Sequence, residues 1–159
     1  MALSKIDGTN FIEGTVPSTV APGAGKVLQV VQGTTSQETD TSSSSYVTTG
    51  LSVNITPSST SSKIFVTVTG AVDNLAAGRV PRVTIYRDST NIVSNSEGLT
   101  LSYSASDRTI CPLSVSKLDS PSSISQITYA LYLSSNSSNA VRFGENGSEQ
   151  VITAFEIAG

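Results

Sequence analysis

"GLSVNITPSSTSSKIFVTVTG", Gly50 to Gly70, decides the fold. Leu51, Val53 and Ile55 alternate with Ser52, Asn54 and Thr56; beyond a loop, Ile64, Val66 and Val68 alternate with Phe65, Thr67 and Thr69. A period of two puts successive side chains on opposite faces of a strand, so each run predicts a half-buried strand. β-Branched residues dominate both runs, and their stiff χ1 angles suit a pleated surface better than a helix. Pro57 has no N–H to give to a ladder, and the chain must turn through Ser58 to Ser62. The stretch predicts one hairpin or one crossing between two sheets.

Outward from it the same pattern recurs in "KVLQVVQ", "SYVTTGLSVNIT", "RVTIYRD", "TICPLSVSKL", "QITYALYLSS", "AVRF" and "QVITAFEIA", separated by linkers rich in Gly, Ser, Asn and Pro. No stretch carries a convincing helical period. The chain therefore reads as all-β, a sandwich. It has no Trp and no Cys-Trp-Cys pattern, which favours a jelly roll of about eight antiparallel strands over an immunoglobulin-like sandwich. Residues 1–25 differ: they have no sustained period, carry Pro17, Pro22, Gly23 and Gly25, and hold the large apolar side chains Ile6, Phe11 and Ile12. The reading is an extended N-terminal arm over 1–25 whose Ile6, Phe11 and Ile12 anchor it to a partner, followed by the sandwich over 26–159.

A length of 159 residues with 37% hydrophobic residues fits one domain and one core. Only 13% of residues are charged, the net charge is −3, and Lys and Arg do not cluster. That balance gives no basic footprint for nucleic acid and no attraction to anionic lipid. No apolar run reaches the roughly 18 residues of a membrane span. The N-terminus has no apolar core of signal-peptide length, so the sequence predicts no secretory export, and the Asn-X-Ser/Thr patterns at Asn54, Asn136 and Asn146 predict no glycosylation. Cys111 stands alone and reads as a small buried apolar residue.

Chemistry is hard to find. There is no His, which removes the commonest general base and metal ligand together with every Ser-His-Asp arrangement. Asp7–Asn10 and Asp73–Gly78 hold too few carboxylates for a calcium loop and read as turns. Gly23–Lys26 lacks the upstream Gly and the following Ser or Thr of a phosphate loop. Asp88, Glu97, Asp107, Glu145, Glu149 and Glu156 are scattered and read as solvated surface, and Glu145–Gly147 reads as a hairpin turn of type I′. The expectation is a non-enzymatic protein with no catalytic residues, no cofactor and no metal.

Two strands ask for cover on both faces. In the last run Val151, Thr153, Phe155 and Ile157 share one face, while Ile152, Ala154, Glu156 and Ala158 share the other. In Gln126–Ser135, Ile127, Tyr129, Leu131 and Leu133 oppose Ala130 and Tyr132. Apolar area left wet on both sides favours association of copies. Tyr129, Leu131, Tyr132, Phe155 and Ile157 are the expected interface residues.

The chain resembles a family of small virion proteins of tailed bacteriophages. The resemblance rests on Gly25–Gly70 with its "GLSVNITPSSTSSKI" segment, on "RVTIYRDSTNIV", and on the closing "VITAFEIAG" with an acid near its end. It implies a trimeric jelly roll of the tumour-necrosis-factor or complement type and hence a homotrimer. It further implies a place on the virion surface after synthesis in the host cytoplasm, with the arm joined to the major capsid protein or another virion protein. The preferred placement is a capsid decoration or cement protein stabilising the shell, because the arm holds no shaft repeat. The alternative is a receptor-binding fibre or tail-tip protein that takes a host surface glycan or protein as partner. A free-standing adhesin or lectin is a third reading, for which five Tyr, four Phe and no Trp leave little aromatic surface.

Overall fold

The structure, a computed structural model, describes residues 25–159, among which there is no helix. Eleven strands run in order: β1 (Val27–Thr35), β2 (Thr39–Thr41), β3 (Val47–Ile55), β4 (Lys63–Asp73), β5 (Pro81–Arg87), β6 (Thr90–Asn91), β7 (Thr100–Leu101), β8 (Ile110–Asp119), β9 (Ile127–Ser135), β10 (Val141–Phe143) and β11 (Gln150–Ile157). Each of the eight runs read from the sequence is one of them. The expected count of about eight is exceeded by β2, β6 and β7, which have only two or three residues each. Such short strands carry no period of their own and take their register from longer neighbours.

All pairings are antiparallel, and the strands form two sheets. In the first, β1, β11, β4 and β8 lie side by side. β10 continues along the same flank of β4 as β11, with Phe143 opposite Val72, and β2 pairs with β10. In the second, β3, β9 and β5 lie side by side, with β6 and β7 both on the far edge of β5. The loop at Pro57–Ser62 is therefore the crossing between sheets rather than a hairpin, because β3 and β4 belong to different sheets.

Glu145–Gly147 departs from expectation. Asn146 and Gly147 do adopt positive φ, 52° and 68°, as an Asn-Gly turn requires. Yet β10 and β11 both run antiparallel to β4 and do not pair with each other. The segment is thus an outward jog in a chain that keeps its direction, not a hairpin. Asp88, at φ 51°, heads the tight connection from β5 to β6 instead.

The inward faces meet in one core. The first sheet supplies Ile64, Val66, Val68, Leu113, Val115, Ile152 and Ala154, and the second Leu51, Val53, Ile55, Val83, Ile85, Ile127, Tyr129, Leu131 and Leu133. On the side formed by β1 and β3 the sheets come so close that any side chain on Gly33 would overlap the Ser52 carbonyl oxygen. Near the opposite edge, at the loop end of β8, a polar clasp joins them. Arg87 of β5 pairs with Asp119 of β8 at 2.9 Å, and Tyr129 of β9 donates its hydroxyl to the same carboxylate at 2.7 Å. Burial, with Asp119 beside it, pushes the Tyr129 hydroxyl well above its usual range, so it stays a donor.

Candidate functional site

The expected site residues do not form one site. Ile6, Phe11 and Ile12 lie outside the described residues. Tyr129 and Leu131 are fully buried between the two sheets of their own chain, which leaves them no surface to give a neighbour; the interface assignment is corrected for both. Their face is the more apolar of the two on β9, and it is the one that fills the core. Tyr132 lies half-buried on the outer face of the second sheet, whereas Phe155 and Ile157 lie half-buried on the outer face of the first.

On that first outer face the cross-strand register assembles an apolar row from edge to edge. Val30 of β1 stands opposite Phe155 of β11, Phe155 opposite Phe65 of β4, and Phe65 opposite Leu118 of β8. The rings of Phe65 and Phe155 sit 6.2 Å apart, within range of a favourable aromatic pair. Val30 is 54% exposed and Leu118 48%, unusual for large apolar side chains that are neighbours of neighbours. Beside the row, Ile157 faces Val27, which is also exposed. The next row toward the far end is polar: Gln32, Thr153, Thr67 and Ser116. Apolar surface is concentrated at this end of the face, while at the far end of β8 Ile110 is exposed on the same side. The sequence hides this because the row takes one residue from each of four distant strands.

The same end holds the entry of the chain. Gly25 donates its N–H to the Ala158 carbonyl at 2.7 Å, and Ala158 donates to Lys26 at 2.8 Å, so the first described residues are held against the end of β11 at this end of the sheet. Next to this point Glu156 forms a latch. Its Oε1 accepts from the Ser58 N–H at 2.7 Å, the Ser58 hydroxyl at 2.6 Å and the Ser62 hydroxyl at 2.7 Å, while Oε2 accepts from Gln29 Nε2 at 2.6 Å. Burial pushes this carboxyl up, but the hydrogen bonds from Ser58, Gln29 and Ser62 outweigh it and hold the group down at about 2. The Ser- and Thr-rich crossing loop is thereby tied to β1 and β11. Glu156 is not solvated surface.

Glu145 is not solvated surface either. At the far end of the sandwich it is buried and pairs with Arg108 at 2.9 Å, and Arg108 also reaches the fully buried Asp73. Arg142 forks onto Asp40 at 2.7 and 3.0 Å and pairs with Glu38 at 2.7 Å. The hydrogen bond from Arg142 holds the Asp40 carboxyl below the usual range, against a smaller upward push from burial. These pairs lace β2, β4, β10 and the loops around Arg108 and Glu145 together. The turn at Asp73–Gly78 is organised likewise: Asp73 accepts from the Leu75 N–H at 2.7 Å, and Asn74 accepts from the Thr109 N–H at 2.6 Å. Glu97 and Asp107 are exposed, as expected, although Glu97 pairs with Arg82 at 2.7 Å. Cys111 is half-buried at the core margin, 3.0 Å from the Ser102 hydroxyl, rather than enclosed.

Among the described residues no group of three His, Cys, Asp or Glu side chains is placed to hold a metal ion, and no helix is long and apolar enough to cross a membrane. The chain matches no protein-family model and no curated protein.

Proposed function

We propose that the chain is a non-enzymatic structural protein of a tailed-bacteriophage particle. In this reading the sandwich is a jelly roll, three copies form a homotrimer, and an N-terminal arm attaches the trimer to the major capsid protein or another virion protein. The strand order supports the jelly roll, because the long strands from β3 onward alternate between sheets, as they do when paired Greek keys wind into one barrel-like sandwich. The observation that carries the functional reading is the apolar row Val30, Phe155, Phe65 and Leu118 at the end of the sheet where Gly25, the first described residue, is held. Covering such a side chain fully is worth about 1.5–3 kcal/mol, which a second copy of the chain would supply. Capsid decoration is the preferred placement, and attachment to a host surface through a fibre or tail tip is the second.

The association is tested on the residues that a monomer leaves exposed. Val30→Glu combined with Leu118→Glu should turn a species of three chain masses into one of a single chain mass in sedimentation, with the folded body intact, since both side chains point outward. A monomeric parent, or a variant that remains trimeric, contradicts the interface.

The placement is tested on the arm. Changing Ile6, Phe11 and Ile12 together to Ser should release the protein from particles while the body stays trimeric. Particles that then adsorb normally but lose heat resistance mark a decoration protein. Particles that keep a robust shell but fail to adsorb mark a receptor-binding protein and overturn the preferred placement.

A further inference from the structure

We infer that the outer face of the second sheet is a binding site for a neutral oligosaccharide; the biological use of the site, though not its chemistry, rests on the particle-surface reading above. Tyr86 of β5 and Tyr132 of β9 lie on this face with ring centroids 3.9 Å apart and planes 21° from parallel. Beneath them Ala130, the register partner of Tyr86, is buried.

The tyrosines stand at the margin of a roof. After β6 the chain folds back over the far half of the face. Val93 N–H donates to Asn91 Oδ1 at 3.0 Å, Leu99 N–H donates to the Val83 carbonyl at 2.7 Å, and the Tyr46 hydroxyl donates to the Ser96 carbonyl at 3.2 Å. Tyr46 immediately precedes β3, at the other edge of the sheet, so the loop must cross the strands between to reach it. Thr84 and Ser134 face outward by register yet are buried under this loop. On the open side of the tyrosine pair are the exposed Ser52 and Asn54 of β3 and the half-buried Thr128 of β9, with Thr128 donating its hydroxyl to Asn54 at 2.7 Å. The result is a step, with a stacked tyrosine pair in which each ring keeps one face uncovered by the other, a loop wall and a shelf of hydroxyl and amide groups.

The charges select the ligand. Arg82 and Glu97 neutralise each other at 2.7 Å beneath and within the loop. At the opposite end Asp88 is engaged by the Thr128 N–H at 3.0 Å. Nothing between them is ionised, so an anionic ligand meets no counter-charge and a nucleic acid meets no basic groove. A pyranose ring fits the description: its C–H face is attracted to the negative face of an aromatic ring, and its hydroxyls exchange hydrogen bonds with short Ser, Thr and Asn side chains. The chain has five Tyr, of which Tyr86 and Tyr132 stack on this face and Tyr46 ties the bordering loop to it.

The test is a titration of the isotope-labelled full chain followed by NMR. The neutral probes are maltohexaose and chitotetraose, and the charged ones are sialyllactose and a heparin hexasaccharide. A neutral probe should shift the resonances of Tyr86, Tyr132 and Ser52. Tyr132→Ala should weaken that binding about tenfold, while Tyr132→Phe, which keeps the ring, should retain most of it. No shift with either neutral probe, shifts confined to other faces, or a response to charged probes alone overturns the inference. The measurement is made in solution. Binding by a protein absent from particles would sink the placement and leave the site standing, and presence on particles without binding would do the reverse.

Discussion

Glu156→Gln should cost the folded body about 3 kcal/mol at neutral pH and remove the share of its acid sensitivity between pH 4.5 and 2 that this carboxyl contributes. The folded carboxyl is held at about 2 against an ordinary value of 4.5, because Ser58, Ser62 and Gln29 donate to its charged form. Each unit of such a shift corresponds to about 1.4 kcal/mol. The folded value is depressed, so between the two values the unfolded chain binds more protons and stability rises with pH. The contribution is complete above pH 4.5 and disappears as pH falls toward 2. Gln copies the protonated, neutral form. It also brings an amide N–H₂ into a site already filled with donors, so one buried partner loses its acceptor. Urea unfolding of parent and variant across this pH range checks the expectation: the gap between the two curves should narrow steadily toward the acid end. Curves that stay parallel would mean that the latch carries no linkage.

Gly33→Val should have an effect at least as large, for a steric reason. A Cβ at this position overlaps the carbonyl oxygen of Ser52, a backbone atom that β3 cannot withdraw without leaving its register with β9. The contact lies where the edges of the two sheets converge, with the Ile152 side chain also within 3.3 Å of the added carbon. Overpacking a tight core ordinarily costs about 1–3 kcal/mol, and a clash against the backbone of the facing sheet belongs above that range. The expected outcome is a protein that fails to accumulate in soluble form or melts far below the parent. Gly147→Ala, where nothing stands within 4 Å of an added Cβ and only the positive φ of 68° resists, should lose much less. Equal melting points for Gly33→Val and the parent would mean that the sheets do not close at this point.

The strands were legible because a period of two survives wherever one face is buried. Leu51, Val53 and Ile55 fill the core as their alternation with Ser52 and Asn54 requires. β2 is hidden because Asp40 sits in a run of Thr and Ser, and it is a strand through its pairing with β10, where Arg142 forks onto Asp40. Faces were harder to read than strands. Tyr129 and Leu131 were assigned to an interface although they share the more apolar face of β9, and the core took that face. Glu156 was readable in principle: it shares a face with Ile152 and Ala154, and an acid on an inward face must be met by donors. Those donors come from the crossing loop at Ser58 and Ser62 and from Gln29 of β1, all distant in sequence, which no local pattern reveals. The apolar row and the tyrosine step have the same origin. Val30, Phe155, Phe65 and Leu118, like Tyr86 and Tyr132, become neighbours only through cross-strand register.

The proposed role as a component of a phage particle is open to immunogold labelling of purified virions with antibody raised against the sandwich. Gold should be distributed over the capsid surface. Gold confined to the tail tip or fibres would reject decoration in favour of receptor binding, and particles free of label, with the chain also missing from their purified protein, would contradict the claim itself.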